Sequence, residues 1–263
     1  MSSILSASAS TPGALAPMRS DWDYSALAAN YDARPGYAAA LLDRVFAQLQ
    51  LGPGRRALDV GAGTGALTAA LCASGAEVVA CEPNPQMRAI GAAKPTCAQA
   101  HWLAARGEAL PLCESSVDLL GYGSSFNVLD PSVALAEAAR VLRRGGHWLA
   151  LWNHRDTEDP LQAEVERCIR RQVPGYRAGA RREDPRPLVR ESGLFEAIDA
   201  DVERFEVEVK ASEWLRAWQA HATLRRQAGT AFARVLADIA HCVQGAEVLR
   251  VPYHTRAYRA RRR

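Results

Sequence analysis

The stretch RALDVGAGTGALTAAL, Arg56 to Leu71, decides the fold. An apolar run, RALDV, is cut off by Gly61, Gly63 and Gly65, and a run of helix formers follows as far as Gly75. That order is strand, tight turn, helix, with glycine where the backbone turns sharply or admits a close ligand. Working outward, EVVACE (77–82) predicts a second strand, and NPQMRAIGAAKP (84–95) a helix that Asn84 caps and Pro95 ends. HWLAARG (101–107) is a third strand, VDLLGYG (117–123) a fourth, PSVALAEAARVLRR (131–144) a helix and GGHWLALWN (145–153) a fifth strand. Strands alternating with helices predict an α/β fold, a doubly wound parallel sheet covered on both faces. Such sheets take ligands beyond the carboxyl ends of their strands, where strand order reverses. Functional residues are expected just after Val60, Glu82, Gly107, Gly123 and Asn153.

The flanks break this rhythm. Upstream, DWDYSALAANYDARPGY (21–37) predicts a short helix ending before Pro35, and YAAALLDRVFAQLQLG (37–52) a second helix. Downstream, LQAEVERCIRRQV (161–173) is a charged helix whose Leu161, Val165, Cys168 and Ile169 share a face. A Pro/Gly/Arg-rich connection (174–187), a strand RFEVEV (204–209), a helical stretch from about Ser212 to Gln244 and a last strand VLRVPYHTRAYRA (248–260) follow. We read residues 1–20 as a flexible leader and 21–263 as one domain, with lid or substrate elements at 21–50, 154–194 and 211–246.

Composition bounds the function. A net charge of +3 on 263 residues does not by itself imply a nucleic-acid partner. The ending HTRAYRARRR reads as a solvated strand end and tail, with phosphate or acidic-substrate binding as the alternative. Six cysteines are scattered without zinc-ligand or redox-motif spacing, which predicts free thiols in a reducing cytosol. No apolar run reaches the ~20 residues of a membrane span. A cytoplasmic monomer or homodimer is expected, with no metal, membrane or nucleic-acid partner.

Two cofactors compete for the glycine loop. Gly61-Ala62-Gly63-Thr64-Gly65-Ala66 fits G-x-G-x-x-G/A between a strand and a helix, and Glu82 stands where a carboxylate accepts hydrogen bonds from a ribose diol. A nicotinamide dinucleotide and S-adenosylmethionine both carry that ribose. Asp59, two residues before the first glycine, separates them: it would repel a pyrophosphate but favour a cationic amino acid and sulfonium. Its alternative role is to tie down the loop backbone.

ALDVGAGTG, ACEPNPQM, RGEALPL, VDLLGYGSSFNVL and EAARVLRRGGHWLAL occur in the order and spacing of class I S-adenosylmethionine-dependent methyltransferases, which the chain resembles from residue 24 onward. ANYDARPGY and VPYHTRAYRARR resemble the small-molecule branch that includes ubiquinone-biosynthesis-like and trans-aconitate-methyltransferase-like enzymes. The resemblance implies a Rossmann-like, mostly parallel sheet with an antiparallel last strand and helical lid insertions. It implies Asp59, Gly61, Gly63 and Gly65 against the methionine part of S-adenosylmethionine, with Gly123 and Ser124 bordering it and Glu82 on the ribose. Pro83 and Met87 would flank the adenine, Gly107 and Glu108 would meet its edge through the backbone, and Tyr31 and Arg34 would close over the cofactor. Two positions depart from the family pattern. Arg106 stands where many relatives carry an acid, and Phe126-Asn127-Val128 where many carry a histidine pair or His-Trp.

Methyl transfer is an in-line displacement, so the protein mainly aligns the acceptor in a dry pocket, and a base helps only where the acceptor must lose a proton. His154 follows the fifth strand and is the candidate base, with Arg155 beside it. Trp214, Trp218 and His221 share a helix face at i, i+4, i+7, either packing on the sheet or forming an aromatic wall for a flat acceptor. Tyr176 and Asn127 complete the candidate acceptor contacts, while His101 and His147 begin strands at the wrong end of the sheet. The expected function is methyl transfer to a small-molecule N, O or C nucleophile, with specialised metabolism as the expected setting. The rivals are a nicotinamide-dependent oxidoreductase, a tRNA or protein methyltransferase, and a cofactor-binding protein that transfers no methyl.

Overall fold

A computed structural model describes Ser25 and residues 28–177 and 183–263. The segment read as a leader lies outside the described residues. Two helices, α1 (Ala28–Tyr31) and α2 (Ala39–Gln48), precede the alternating unit. That unit runs β1 (Arg56–Val60), α3 (Ala66–Ala73), β2 (Glu77–Cys81), α4 (Pro85–Ala92), β3 (His101–Leu103), β4 (Val117–Gly123), α5 (Pro131–Val141) and β5 (Leu142–Arg155). It is followed by α6 (Pro160–Gln172), α7 (Arg186–Glu191), β6 (Phe195–Lys210), α8 (Ala211–Gln219), α9 (Ala222–Ala228), α10 (Phe232–Cys242) and β7 (Val248–Arg262).

The seven strands form one sheet in the order β3-β2-β1-β4-β5-β7-β6. β1 is parallel to β2 and β4, and β5 is parallel to β4. β7 is antiparallel to both β5 and β6. Strand order reverses between β1 and β4, which opens a crevice at their carboxyl ends.

Period-two alternation divides each central strand between two cores. Ala57, Leu119, Leu149 and Leu151 pack with Leu41, Leu42, Val45 and Phe46 of α2 and Leu67 and Leu71 of α3. Leu58, Leu120, Trp148 and Ala150 pack on the other face with Ala134, Leu135 and Ala138 of α5 and Val189 of α7. α2 is therefore a sheet-covering helix rather than part of a lid, and within 21–50 it is residues between Tyr31 and Tyr37 that reach the crevice. α7, inside the segment read as connection and lid, likewise belongs to the sheet's own core.

A third core stands by itself. Val165 and Ile169 of α6, Trp214 and Trp218 of α8, Leu224 of α9 and Val235 and Ile239 of α10 cluster with Leu249 and Val251 at the start of β7. This is the lid layer. The helical stretch read from Ser212 to Gln244 is broken twice: His221 caps α9, and Gly229 takes φ +50°, where a side chain would be strained.

The terminal arginines face an acidic strand. Arg259 pairs with Asp199 (3.6 Å) and Asp201, and Arg261 with Glu196 (3.3 Å). Arg262 donates to the Leu142 carbonyl, and Arg263 Nε to that of Phe195 at 2.9 Å. What reads as a basic tail is a strand that continues to Arg262, cross-paired with β6.

Candidate active site

The glycine loop is built to turn, and the N–H groups of Gly61, Ala62, Gly63 and Gly65 are already taken. Gly61 N–H and Ala62 N–H both donate to the Cys81 carbonyl (2.8 and 3.0 Å), and Gly65 N–H donates to that of Ala62 (2.8 Å). Gly63 N–H donates to Glu82 Oε2 at 2.8 Å. A loop whose amides point into its own backbone and onto a carboxylate offers those donors to no phosphate. At Gly61, with φ +68°, a Cβ would sit 2.6 Å from Ser125 Cβ; at Gly63, with φ +57°, it would meet nothing within 4 Å, because that face is open crevice. Gly65 does not line the crevice. A Cβ there would lie 2.8 Å from Cys97 Sγ and 3.4 Å from the Trp102 ring, so its absence serves packing, and the expected methionine contact is corrected.

Two carboxylates stand over this loop. Asp59 is fully buried, and its Oδ2 accepts from Thr68 Oγ1 at 2.6 Å. Its Oδ1 is buried with no hydrogen-bond partner. Burial pushes the Asp59 pKa up to about 7, assisted by the charge of Glu82 and opposed by the Thr68 hydrogen bond. An orphaned carboxylate oxygen in a cavity wall is what a cationic ligand group would satisfy. Glu82 is also raised by burial, while its bonds from Asn84 N–H (2.8 Å) and Gly63 N–H act the other way. It fixes the loop, and each of its oxygens keeps a further lone pair.

These groups line one cavity of about 650 Å³. Tyr31, Arg34, Asp59, Gly61, Gly63, Glu82, Pro83, Met87, Gly107, Glu108, Gly123 and Ser124 all border it, as do His154, Arg155, Tyr176, Trp214, Trp218 and His221. Asn127 does not; its Oδ1 accepts from Trp152 Nε1 at 2.9 Å, a structural bond beneath the crevice floor. Arg106, at the turn where an acid was expected, lies 3.7 Å from Glu108, whose buried Oε2 has no hydrogen bond.

The wall opposite the loop comes from the flanks. Arg34 lies 4.2 Å over the Tyr31 ring and donates from Nη2 to the Ala220 carbonyl at 3.0 Å, tying the N-terminal segment to the α8–α9 junction. Asn153 Nδ2 donates to the carbonyls of Pro35 (3.2 Å) and Gly36 (2.7 Å), and its Oδ1 accepts from Thr255 Oγ1 (2.6 Å). Tyr37 shares a 3.1 Å hydrogen bond with Ser124 Oγ, and Ser124 itself is held at φ +60°.

At the end of β5, His154 and Arg155 enter the cavity beside Tyr253, the cross-strand partner of Arg155. The Arg155 guanidinium lies 4.1 Å over Trp218, which stacks on His221 (5.4 Å between centroids, 13° between planes) and meets Trp214 edge-on at 5.8 Å. Trp214 and Trp218 are buried in the third core while also bordering the cavity, but His221 is no longer on the tryptophans' helix. Its Nδ1 accepts from Leu224 N–H at 3.2 Å, so that nitrogen is committed to the helix cap. Tyr253 is kept protonated, its pKa raised by burial against the pull of Arg155, a Trp214 hydrogen bond and Arg34. Thr68, Tyr37 and Tyr253 were missed in the sequence: each is one polar residue in an apolar or alternating run, with no spacing signal.

Comparison with known proteins meets this geometry. Residues 58–150 match the family model described as a methyltransferase domain. An uncharacterized methyltransferase of Mycobacterium tuberculosis strain H37Rv, Rv3342, is 37% identical over 132 residues, 50% of this chain and 52% of the relative. The chain thus spans about half the length of the curated relatives it matches. Among solved structures, the YcgJ protein of Bacillus subtilis superposes with TM-score 0.55 at 15% identity, over 86% of this chain and 99% of that one. The [4+2]-cyclase SpnF superposes with TM-score 0.53 at 22% identity, over 88% of this chain and 85% of that one. Those likenesses show the fold, and the family match places a methyltransferase domain at residues 58–150 of it.

Proposed function

We propose that the protein transfers a methyl group from S-adenosylmethionine to a small-molecule acceptor bound between the β5 end and the lid helices. The observation that carries this reading is the Asp59 oxygen left without a partner beside a glycine loop in which the Gly61, Ala62, Gly63 and Gly65 amides are already committed. A dinucleotide would bring a pyrophosphate to two carboxylates and to four glycine-loop amides that are already bonded; a cationic cofactor supplies the charge the carboxylates lack. Asp59 and the Gly61–Gly63 backbone would hold the methionine part, Glu82 the ribose, and Pro83, Met87 and the Glu108 side chain the adenine. When bound, the cofactor supplies an activated methyl on a sulfonium, so no covalent enzyme intermediate is needed. His154 takes a proton from the acceptor, and the Arg155–Trp218–His221 stack holds a flat acceptor face. The enclosed wall between strand ends and lid favours a small molecule over a macromolecule, and specialised metabolism is the setting proposed. The arginine-rich terminus, which had suggested RNA, is spent on β6.

Incubation with S-adenosylmethionine and a pooled metabolite extract tests this by mass spectrometry. The expected result is a product one methyl group heavier, appearing with S-adenosylhomocysteine. Tight cofactor binding with no methylated product from any extract would favour the reading of a cofactor-binding protein that transfers no methyl.

A further inference from the structure

The sequence separates Cys168 from Cys242 by the whole of β6, yet the fold sets them in contact. Cys168 on α6 and Cys242 at the end of α10 have their sulfurs 3.6 Å apart. One turn before Cys168, Glu164 brings its Oε1 to 3.6 Å from the Cys168 sulfur. One oxygen and two sulfurs, each from a different side chain, lie within 4.8 Å of one another. A tetrahedral zinc ion with Zn–S of about 2.3 Å and Zn–O of about 2.1 Å requires sulfurs about 3.8 Å apart and sulfur to oxygen about 3.6 Å. Two of the observed separations lie within about 0.2 Å of those edges, and the third, from the Cys242 sulfur to Glu164, lies within 4.8 Å.

We infer that Glu164, Cys168 and Cys242 form a site for a thiophilic divalent cation, zinc in the first instance, that fastens α6 to α10 behind the acceptor wall. Cys168 is buried, while Cys242 and Glu164 are half-exposed, so solvent reaches the site and supplies water as the fourth ligand. The surroundings are electronegative: Glu164 is shared with Arg167, and Asp238, held by Gln172 Nε2 at 2.9 Å, lies on the Cys242 side. Binding exchanges charge, not electrons. One divalent cation enters, the two S–H protons leave to solvent, and two thiolates and one carboxylate remain as ligands. The consequence is mechanical: Tyr176, just beyond α6, and Trp214 and Trp218, in the same core as α10, are held against one fixed pair of helices. The site is independent of methyl transfer.

The test uses the full chain, reduced and stripped of metal with a chelator, titrated with zinc chloride and, for its visible spectrum, cobalt(II) chloride. One zinc per chain is expected, with about two protons released per ion and a cobalt spectrum showing tetrahedral bands with sulfur-to-metal charge transfer. C168S/C242S should abolish uptake, and E164Q should weaken it tenfold or more, with far-ultraviolet circular dichroism showing that each variant folds. The double variant keeps Cys72, Cys81, Cys97 and Cys113 and so reports adventitious thiol binding. No uptake at micromolar zinc by the reduced protein, or equal uptake by the double variant, overturns the assignment. So does ready closure of the pair to a disulfide with no zinc uptake beforehand.

Discussion

Asp59 is held where it costs stability. A shift from 3.8 to about 7 on a buried carboxyl corresponds to about 4 kcal/mol at most between its protonated and ionised forms. Because the folded value is raised, that stability is present below the unfolded pKa and lost as pH rises from about 4 through about 7. Asp59→Asn should therefore raise the thermal stability of the ligand-free protein at pH 8, by about 1–3 kcal/mol after the cost of the buried amide, and change little at pH 4. The same variant should bind S-adenosylmethionine at least tenfold more weakly, and the wild type should bind it more weakly as pH falls below about 7, where a proton must first leave Asp59. Calorimetry at pH 5.5, 6.5 and 7.5 checks the sign; affinity that rises on acidification would remove Asp59 from the cofactor site. At the acceptor end, His154→Ala should lower turnover by about 10²–10⁴-fold with S-adenosylhomocysteine affinity unchanged if His154 is the base. Lost cofactor affinity in a folded variant would place it elsewhere. Asp59, Glu82 and His154 were placed at the crevice because each lies at the carboxyl end of a strand that the pattern located. Thr68, which leaves Asp59 one oxygen to spare, was not, since a threonine inside an apolar helix reads as packing.

Among the elements, those with a local signal were read well and those made by tertiary contact were not. Asn84 was read as a cap and accepts from Gln86 and Met87 N–H; Pro85 and Pro131 begin helices as N-terminal prolines do. β6 was read as RFEVEV but runs Phe195–Lys210, because its length is set by β7, a partner that no local pattern reveals. Acidic and arginine residues alternate along this pair, so the charge run at the chain end finds its meaning only in register. The helix α7 hid in a Pro/Arg-rich stretch whose one core side chain is Val189. Asn153 shows how such elements are joined: it binds Pro35 and Gly36 of one segment and Thr255 of β7. Asn153→Ala should leave β5 intact but cost about 1–3 kcal/mol of stability and speed amide exchange in residues 31–38, which lose their anchor. Exchange there that is no faster than in wild type would mean Thr255, bonded to Ala38 N–H at 2.9 Å, holds the segment unaided.

At the scale of the molecule, the cavity lies where three layers meet, so any ligand filling it touches the sheet, the N-terminal segment and the lid core together. A ligand of micromolar affinity present at a hundred times its dissociation constant stabilises the folded chain by about 2.7 kcal/mol. For a chain of this size that is a rise of about 5–10 °C in the thermal midpoint. S-adenosylhomocysteine and S-adenosylmethionine should each produce that rise. NADH and NADPH should not, because each would lay a pyrophosphate against Asp59 and Glu82 beside amides already bonded to Cys81, Ala62 and Glu82. The comparison is made at pH 8, where Asp59 is ionised and its repulsion of a phosphate is fully expressed. Lowering the pH to 5.5 protonates it and should shrink the gap from the S-adenosyl side, by weakening S-adenosylmethionine, rather than by admitting NADH. A midpoint raised by NADH and not by S-adenosylhomocysteine would show that the loop rearranges to free its amides, and would return the protein to the oxidoreductase reading.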